Sequence, residues 1–177
     1  MAIKGLDQAI DNLSRVRKNA IPAASAMAIN RVATTAINQS SSQVARETKV
    51  RRKLVKERSR LKRATVRNPN ARIIVNRGDL PAIKLGIRML GHRPNSILKA
   101  GQHRYQRAFI QRLKNGRWHV MQRVAGKNRY PIDVVKIPMA APLKQAFDEN
   151  VDRIRRERLP KELAYALKQQ LRIAIKR

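Results

Sequence analysis

The segment Arg46–Arg67, RETKVRRKLVKERSRLKRATVR, constrains the fold of this chain more than any other. Eleven of its 22 residues are Lys or Arg, and only Glu47 and Glu57 carry the opposite charge. Four apolar residues follow one another at intervals of four, seven and three positions. They are Val50, Leu54, Leu61 and Ala64. This spacing predicts a helix with an apolar stripe too narrow to bury the segment, so most of its charges face water or an anionic partner.

A helix face that only serves solubility usually carries both signs of charge, and this segment carries almost one sign alone. The imbalance favours a surface that faces phosphate groups or an acidic protein, with a solvated helix face as the alternative. The candidate contact residues are Arg46, Lys49, Arg51, Arg52, Lys53, Lys56, Arg58, Arg60, Lys62 and Arg63.

The whole chain shares this imbalance. Its 177 residues contain 41 Lys and Arg against 11 Asp and Glu, a net charge of +30. Charge repulsion of this size opposes folding unless counter-charge is near, and nucleic acid is its commonest source. The chain has only six aromatic residues to stack on bases, so any contact with DNA is expected to be with its backbone, sensitive to salt and without base preference.

The sequence offers little for catalysis or metal binding. It has no cysteine, and His92, His103 and His119 lie far apart without acidic residues at ligand spacing. No nucleotide-binding or nucleophile motif occurs. We therefore expect a protein that is not an enzyme and has no catalytic residues, cofactor or metal. Asp7 and Asp11 interrupt any signal peptide, and no apolar run could span a membrane, which predicts a soluble protein.

Helical periodicity marks both ends of the chain. An amphipathic helix is predicted near the N-terminus, and Pro22 is expected to break it and begin a second, alanine-rich helix. Pro142 begins the last helical region, which Pro160 is expected to interrupt. Apolar residues of the second and last helices are candidates for packing between subunits. They are Ile29, Val32, Ala33, Ala36, Ile37, Leu163, Leu167 and Leu171.

The middle of the chain has the period of β-strands. Strands are predicted at Ala71–Val75 and Tyr130–Ile137, and Asn115-Gly116 predicts a hairpin between two alternating runs. The glycine-rich residues 86–104 show no pattern and are interpreted as a mobile loop. The expected fold is α+β in one domain, with a helical basic region at 1–62, a β region at 63–140 and C-terminal helices at 141–177.

Five stretches carry a resemblance to a known family. They are AMAINRVA at Ala26–Ala33, QVARETKVRRKLVKER at Gln43–Arg58, VNRGDLPAIKLG at Val75–Gly86, LKNGRWHVMQRVAGKNRYPIDVVKIPMA at Leu113–Ala140 and RIRRERLPKEL at Arg153–Leu163. With them the whole chain resembles the minor tail protein Z family of lambda-like siphophages.

This resemblance implies a structural virion protein that completes the tail at its head-proximal end. The implied partners are the tail terminator ring, other tail or neck proteins and the phage DNA in the channel. A homo-oligomeric ring, as a hexamer, is implied by the sixfold symmetry of such tails, and assembly would occur in the host cytoplasm. The alternative is a free-standing DNA- or RNA-binding protein without sequence preference, which would account for the charge but not for the resemblance.

Overall fold

The computed structural model describes residues 6–90, 97–123 and 131–175. The helices are α1 (Leu6–Arg15), α2 (Ile21–Glu47), α3 (Arg52–Lys56) and α4 (Ala140–Ile175), with a π-helical turn at Val16–Ala20 and a 3-10 turn at Ala82–Leu85. The strands are β1 (Ser59–Lys62), β2 (Arg72–Val75), β3 (Leu80–Pro81), β4 (Ile87–Leu90), β5 (Ile97–Ala100), β6 (His103–Gln106), β7 (Ala108–Arg112), β8 (Trp118–Arg123), β9 (Ile132–Val134) and β10 (Lys136–Ile137). This combination confirms the predicted α+β class.

The chain forms two compact units, each built from separate stretches of sequence. The helical unit takes the described residues up to Ser40, Ser59–Val75 and those from Phe147 onward. The sheet unit takes the described parts of Ser41–Arg58 and Asn76–Ala146. The three successive regions expected from the sequence therefore do not coincide with these units, and a single domain stays a prediction.

The helical unit is held together by small residues of α2 facing leucines of α4. Ala24 and Ala28 are fully buried and pack with Ala166, and partly buried side chains surround them. A second cluster consists of Val32, Ala36 and Ile154. Alanine lets two helices approach closely, and the leucines then fill the space between them. The residues around the first cluster are Met27, Leu159, Leu163 and Leu167.

The helices around Pro22 and Pro160 are more continuous than the sequence predicted. The second helix begins at Ile21, as Pro22 predicted, but the chain does not break there, because the π-helical turn joins α1 to α2 without leaving the helical conformation. The interruption predicted at Pro160 is wrong, since α4 continues through it. Packing of the neighbouring Leu159 and Leu163 against α2 offsets the cost of a proline within a helix.

The prediction of one basic helix over Arg46–Arg67 is also wrong. The segment divides into the end of α2, a turn, α3 and β1. The predicted apolar stripe nevertheless faces inward, because Val50 and Ala64 are buried and Leu54 and Leu61 are partly buried. Leu54 and Leu61 are seven residues apart, a spacing that fits a helix, but the chain changes from helical to strand geometry between them. β1 alternates in burial with a period of two.

The sheet unit contains a strand system where a mobile loop was expected. β4, β5 and β6 form a three-stranded antiparallel sheet across the described part of residues 86–104, so that interpretation is wrong. Leu98 and Ala100 of β5 are fully buried, which gives this strand an apolar face. Gly101 adopts a φ of 60° in the tight turn between β5 and β6. Residues 91–96, which include His92, lie outside the described residues.

The predicted hairpin is confirmed, with a different turn. β7 and β8 pair antiparallel, and β9 joins β8 as the third strand. The Leu113 N–H donates to the carbonyl oxygen of Arg117 at 2.9 Å, which encloses a three-residue loop. Within that loop only Gly116 has a positive φ, of 76°. This is the loop in which a left-handed residue forms a bulge, rather than the two-residue turn that Asn115-Gly116 suggested.

The strand predicted over Tyr130–Ile137 is divided into β9 and β10, and Tyr130 lies outside the described residues. Val135 lies between the two strands and donates its N–H to the carbonyl oxygen of Val120 at 2.8 Å. β10 then pairs with β3 in a separate two-stranded ribbon. The strand prediction over Ala71–Val75 is confirmed by β2, which pairs with β1.

Candidate basic interface

Four of the predicted contact residues surround one cavity of about 750 Å³ in the sheet unit. Arg46 comes from the last turn of α2, Lys49 and Arg51 from the turn that follows, and Arg52 from the start of α3. We call this the basic cavity. Its remaining lining residues are Ser42, Ala45, Val50, Leu85, Gly101 and Gln102. None of these ten residues is acidic, so the basic cavity is suited to an anionic group.

The turn between α2 and α3 creates the basic cavity. At the end of α2, the N–H of Thr48 donates to the carbonyl oxygen of Val44 at 2.9 Å, and the Thr48 hydroxyl donates to the same oxygen at 2.6 Å. Lys49 then adopts a φ of 52°, the left-handed conformation that glycine usually occupies after a helix. The turn is tied to β6, because His103 Nε2 lies 2.9 Å from the Thr48 carbonyl oxygen, which can only accept.

The position of Lys49 is unusual for a residue with a side chain. A left-handed conformation costs a residue with a Cβ atom roughly 1–2 kcal/mol relative to the right-handed one. Lysine at this position places a cation beside the C-terminus of α2, where the helix dipole is favourable to positive charge. It also places that cation in the lining of the basic cavity. Both effects follow from charge, which glycine would not supply.

Arg58, another predicted contact residue, forms hydrogen bonds within the chain. Its guanidinium group donates to three backbone carbonyl oxygens in the loop after β2, those of Asn76, Gly78 and Asp79, the last at 3.0 Å. Burial lowers the pKa of Arg58, and the carboxylate of Asp79 partly opposes that shift. An arginine with this many internal acceptors stabilises the loop, and its planar group is the reason that it can bind several oxygens at once.

The other predicted contact residues are exposed and are divided between the two units. Lys53 and Lys56 lie on α3 in the sheet unit, whereas Arg60, Lys62 and Arg63 belong to the helical unit. Arg60 and Lys62 share the exposed side of β1, and Lys62 stands opposite Arg72 of β2. Two cations in register repel each other unless an anion lies between them. This ribbon is therefore a second cationic surface.

The residues predicted to pack between subunits are mostly used inside the chain. Val32, Ala33, Ala36 and Ile37 are buried in the helical unit. Ile29 and the three C-terminal leucines are partly buried, and Leu163 and Leu167 pack against the alanines of α2. Packing of these eight residues between subunits stays a prediction.

The sequence did not identify the six other residues of the basic cavity as contact residues, and three of the six are not apolar. Ser42 lies on α2, and Gly101 and Gln102 form the turn between β5 and β6. Gly101 was the available signal, because a glycine between two short alternating runs is typical of a tight turn. Lys and Arg residues within those runs weaken the alternation of polar and apolar residues.

In residues 6–90, 97–123 and 131–175, no group of three His, Asp or Glu side chains is placed to hold a metal ion. None of the helices in the described part of the chain has the length and apolar character needed to cross a membrane.

Comparison with known proteins identifies the family. Residues 3–177 match the family described as prophage minor tail protein Z (GPZ). The chain is 69% identical to the tail completion protein Z of Escherichia phage lambda over 192 aligned positions, and 51% identical to the tail completion protein of Escherichia phage N15 over 185, with full coverage of both chains in each case. No solved structure matches the chain. The chain belongs to the prophage minor tail protein Z family.

Proposed function

We propose that this protein is a structural component of a siphophage virion that completes the tail at its head-proximal end. It would lie beside the tail terminator ring and around the DNA path, as a homo-oligomeric ring, and be required for productive joining of head and tail. Two relatives that align with the whole chain are named tail completion proteins, which supports this role. The protein would assemble in the host cytoplasm and remain in the virion.

The basic cavity carries the molecular part of the proposal. Four cationic residues around about 750 Å³, with no acidic residue in the lining, form a site for a polyanion. Phosphate groups of DNA fit this site because arginine and lysine bind them without reading bases. Such binding would place the DNA end in the assembled neck and hold it there while the head joins the tail.

The experiment reverses two cavity charges in phage that lacks the gene for this chain. Complementation with the Lys49→Glu/Arg51→Glu variant is compared with the Lys114→Glu/Arg117→Glu variant, whose two exposed cations lie in the β7–β8 loop. Both variants lose the same charge. We expect the cavity variant to permit tail assembly but to give few joined, infectious particles, and the loop variant to behave like the natural chain.

DNA binding by the purified proteins separates phosphate contact from contact with an acidic protein. Each phosphate contact contributes about −0.9 to the slope of log affinity against log salt concentration for duplex DNA. The cavity variant should flatten that slope by about 2 if Lys49 and Arg51 each bind one phosphate. An unchanged slope with defective joining would indicate an acidic protein partner. Full infectivity of the cavity variant would contradict the role of the basic cavity.

A further inference from the structure

The N-terminal helix α1 presents apolar side chains that the described residues of the helical unit leave exposed. Ile10 is 52% exposed and Leu13 is 69% exposed. Residues three positions apart lie on the same side of a helix, so the two side chains form one apolar strip. A helix that keeps an apolar face in water usually has a partner for it.

The same unit contains a groove with the complementary character. It has a volume of about 600 Å³, and we call it the alanine groove. Val66 and Ile173 in its lining are 52% and 47% exposed. The other residues that line it are Arg15, Asn19, Ala20, Ala23 and Gln170. Alanines at its base leave room for larger apolar side chains from outside.

In the same chain, the apolar strip of α1 does not line this groove, although Arg15, the last residue of α1, does. The backbone stays helical from Leu6 to Glu47, and both Arg15 and Ile21, which flank the π-helical turn, have right-handed helical dihedral angles. The groove begins at Arg15, where α1 ends. Because a continuous helix rises by about 1.5 Å per residue, Ile10 and Leu13 lie further along the helix, away from Ala20 and Ala23. An apolar strip that fills the groove would therefore come from another molecule.

Charge favours a second copy of this chain as that molecule. The sequence of α1 contains two aspartates and one arginine, a net charge of −1 in a chain whose total is +30. Copies of so basic a protein repel each other over most of their surface. Arg15 lines the alanine groove, and Arg17, Lys18 and Arg67 are exposed and lie within two sequence positions of its lining residues. Acidic α1 is thus attracted where the rest of a second copy is repelled.

We propose that α1 of one copy docks in the alanine groove of the next, with Ile10 and Leu13 against Val66 and Ile173. This contact joins two different surfaces, so it repeats from copy to copy and generates a ring where the rotation closes. It gives a structural basis for the ring in the proposed function and rests on that proposal for its biological meaning. The contact itself belongs to the purified protein and can fail or succeed independently of tail joining.

Cross-linking tests this contact without background, because the natural chain has no cysteine. Leu13→Cys and Val66→Cys proteins are purified separately, mixed, and treated with a short bismaleimide. Both positions are exposed, so neither substitution should disturb folding. We expect a cross-linked dimer in the mixture, and a ladder of multimers when one chain carries both substitutions. Trp118→Cys, 56% exposed in the sheet unit, replaces Val66→Cys in the control mixture.

Three results would overturn the proposal. The first is no more dimer than in the Trp118→Cys control. The second is equally efficient cross-linking of Leu13→Cys protein alone, which would indicate that two α1 helices pair with each other. The third is a cross-link within the single chain that carries both cysteines. Sedimentation velocity adds a matched comparison, in which Leu13→Glu should lower the average mass and Ile110→Glu, on the exposed side of β7, should not.

Discussion

Asn30 of α2 binds both backbone polar groups of Ala64. Its Nδ2 donates to the Ala64 carbonyl oxygen at 2.9 Å, and the Ala64 N–H donates to its Oδ1 at 2.8 Å. Ala64 is buried, so its backbone N–H and carbonyl depend on this side chain for their hydrogen bonds. The two hydrogen bonds fix the chain after β1, which is the end of the basic segment, onto the alanine-rich helix.

Removal of this carboxamide should destabilise the helical unit. We expect Asn30→Ala to lower the free energy of unfolding by about 1–3 kcal/mol, because it leaves a buried donor and acceptor unpaired. Thr34→Ala is the matched control, since the exposed Thr34 hydroxyl bonds only to a carbonyl oxygen of its own helix. Urea denaturation followed by circular dichroism measures both. Equal effects of the two substitutions would contradict the importance of the Asn30–Ala64 pair.

Arg58 should be needed for its shape rather than for its charge. We expect Arg58→Lys to lower the free energy of unfolding by about 1–3 kcal/mol, since an ammonium group cannot reach the carbonyl oxygens of Asn76, Gly78 and Asp79 together. Arg51→Lys, at an exposed position, should change it by less than about 0.5 kcal/mol. Thermal denaturation measures both variants. If Arg58→Lys does not change the stability, the hydrogen bonds of Arg58 are not important for the loop, and a contact of Arg58 with a partner is again the better explanation.

Substitution of Lys49 should affect stability and head-tail joining in opposite directions. We expect Lys49→Gly to raise the free energy of unfolding by about 1 kcal/mol, because glycine adopts a φ of 52° without a steric cost. Lys53→Gly, within α3, should lower it by a similar amount, about 1 kcal/mol. The more stable Lys49→Gly protein should still join heads to tails less efficiently, since the basic cavity loses a charge. Greater stability with unchanged joining would show that Lys49 serves only the helix end.

The predictable parts of the fold were those set by local chemistry. Asn115-Gly116 identified the hairpin because turn residues act within a few positions. The basic segment was misread because Leu54 and Leu61 fit a helical period, while the partners that make Ser59–Lys62 a strand lie in β2. Arg58 likewise bonds to residues 18 to 21 positions away. Contacts between residues so far apart produce no periodic pattern in the sequence. The positions of the charges were therefore predictable, but their division between the two units was not.

Alkaline pH should destabilise the sheet unit through Tyr105. Burial raises the pKa of Tyr105, whose ring stacks on His103 with centroids 6.3 Å apart. The folded chain therefore holds the phenol proton above about pH 10, where the unfolded chain releases it. Stability from this group is complete below that pH and declines as pH rises through the folded pKa. Tyr105→Phe should reduce the loss of stability between about pH 9 and 11.

The matched substitution for this measurement is Tyr165→Phe, because Tyr165 is 59% exposed and its ring faces Arg31 in the helical unit. Unfolding curves across the alkaline range should change less for that variant than for Tyr105→Phe. A larger effect at Tyr165 would contradict the assignment to burial at Tyr105.

The most direct measurement is a density map of an intact virion neck that resolves this chain. We expect copies of the protein at the head-proximal end of the tail, with Arg46, Lys49, Arg51 and Arg52 directed at the DNA or at an acidic neighbour. A map in which these four side chains point outward into solvent, away from genome and neighbouring proteins alike, would contradict it.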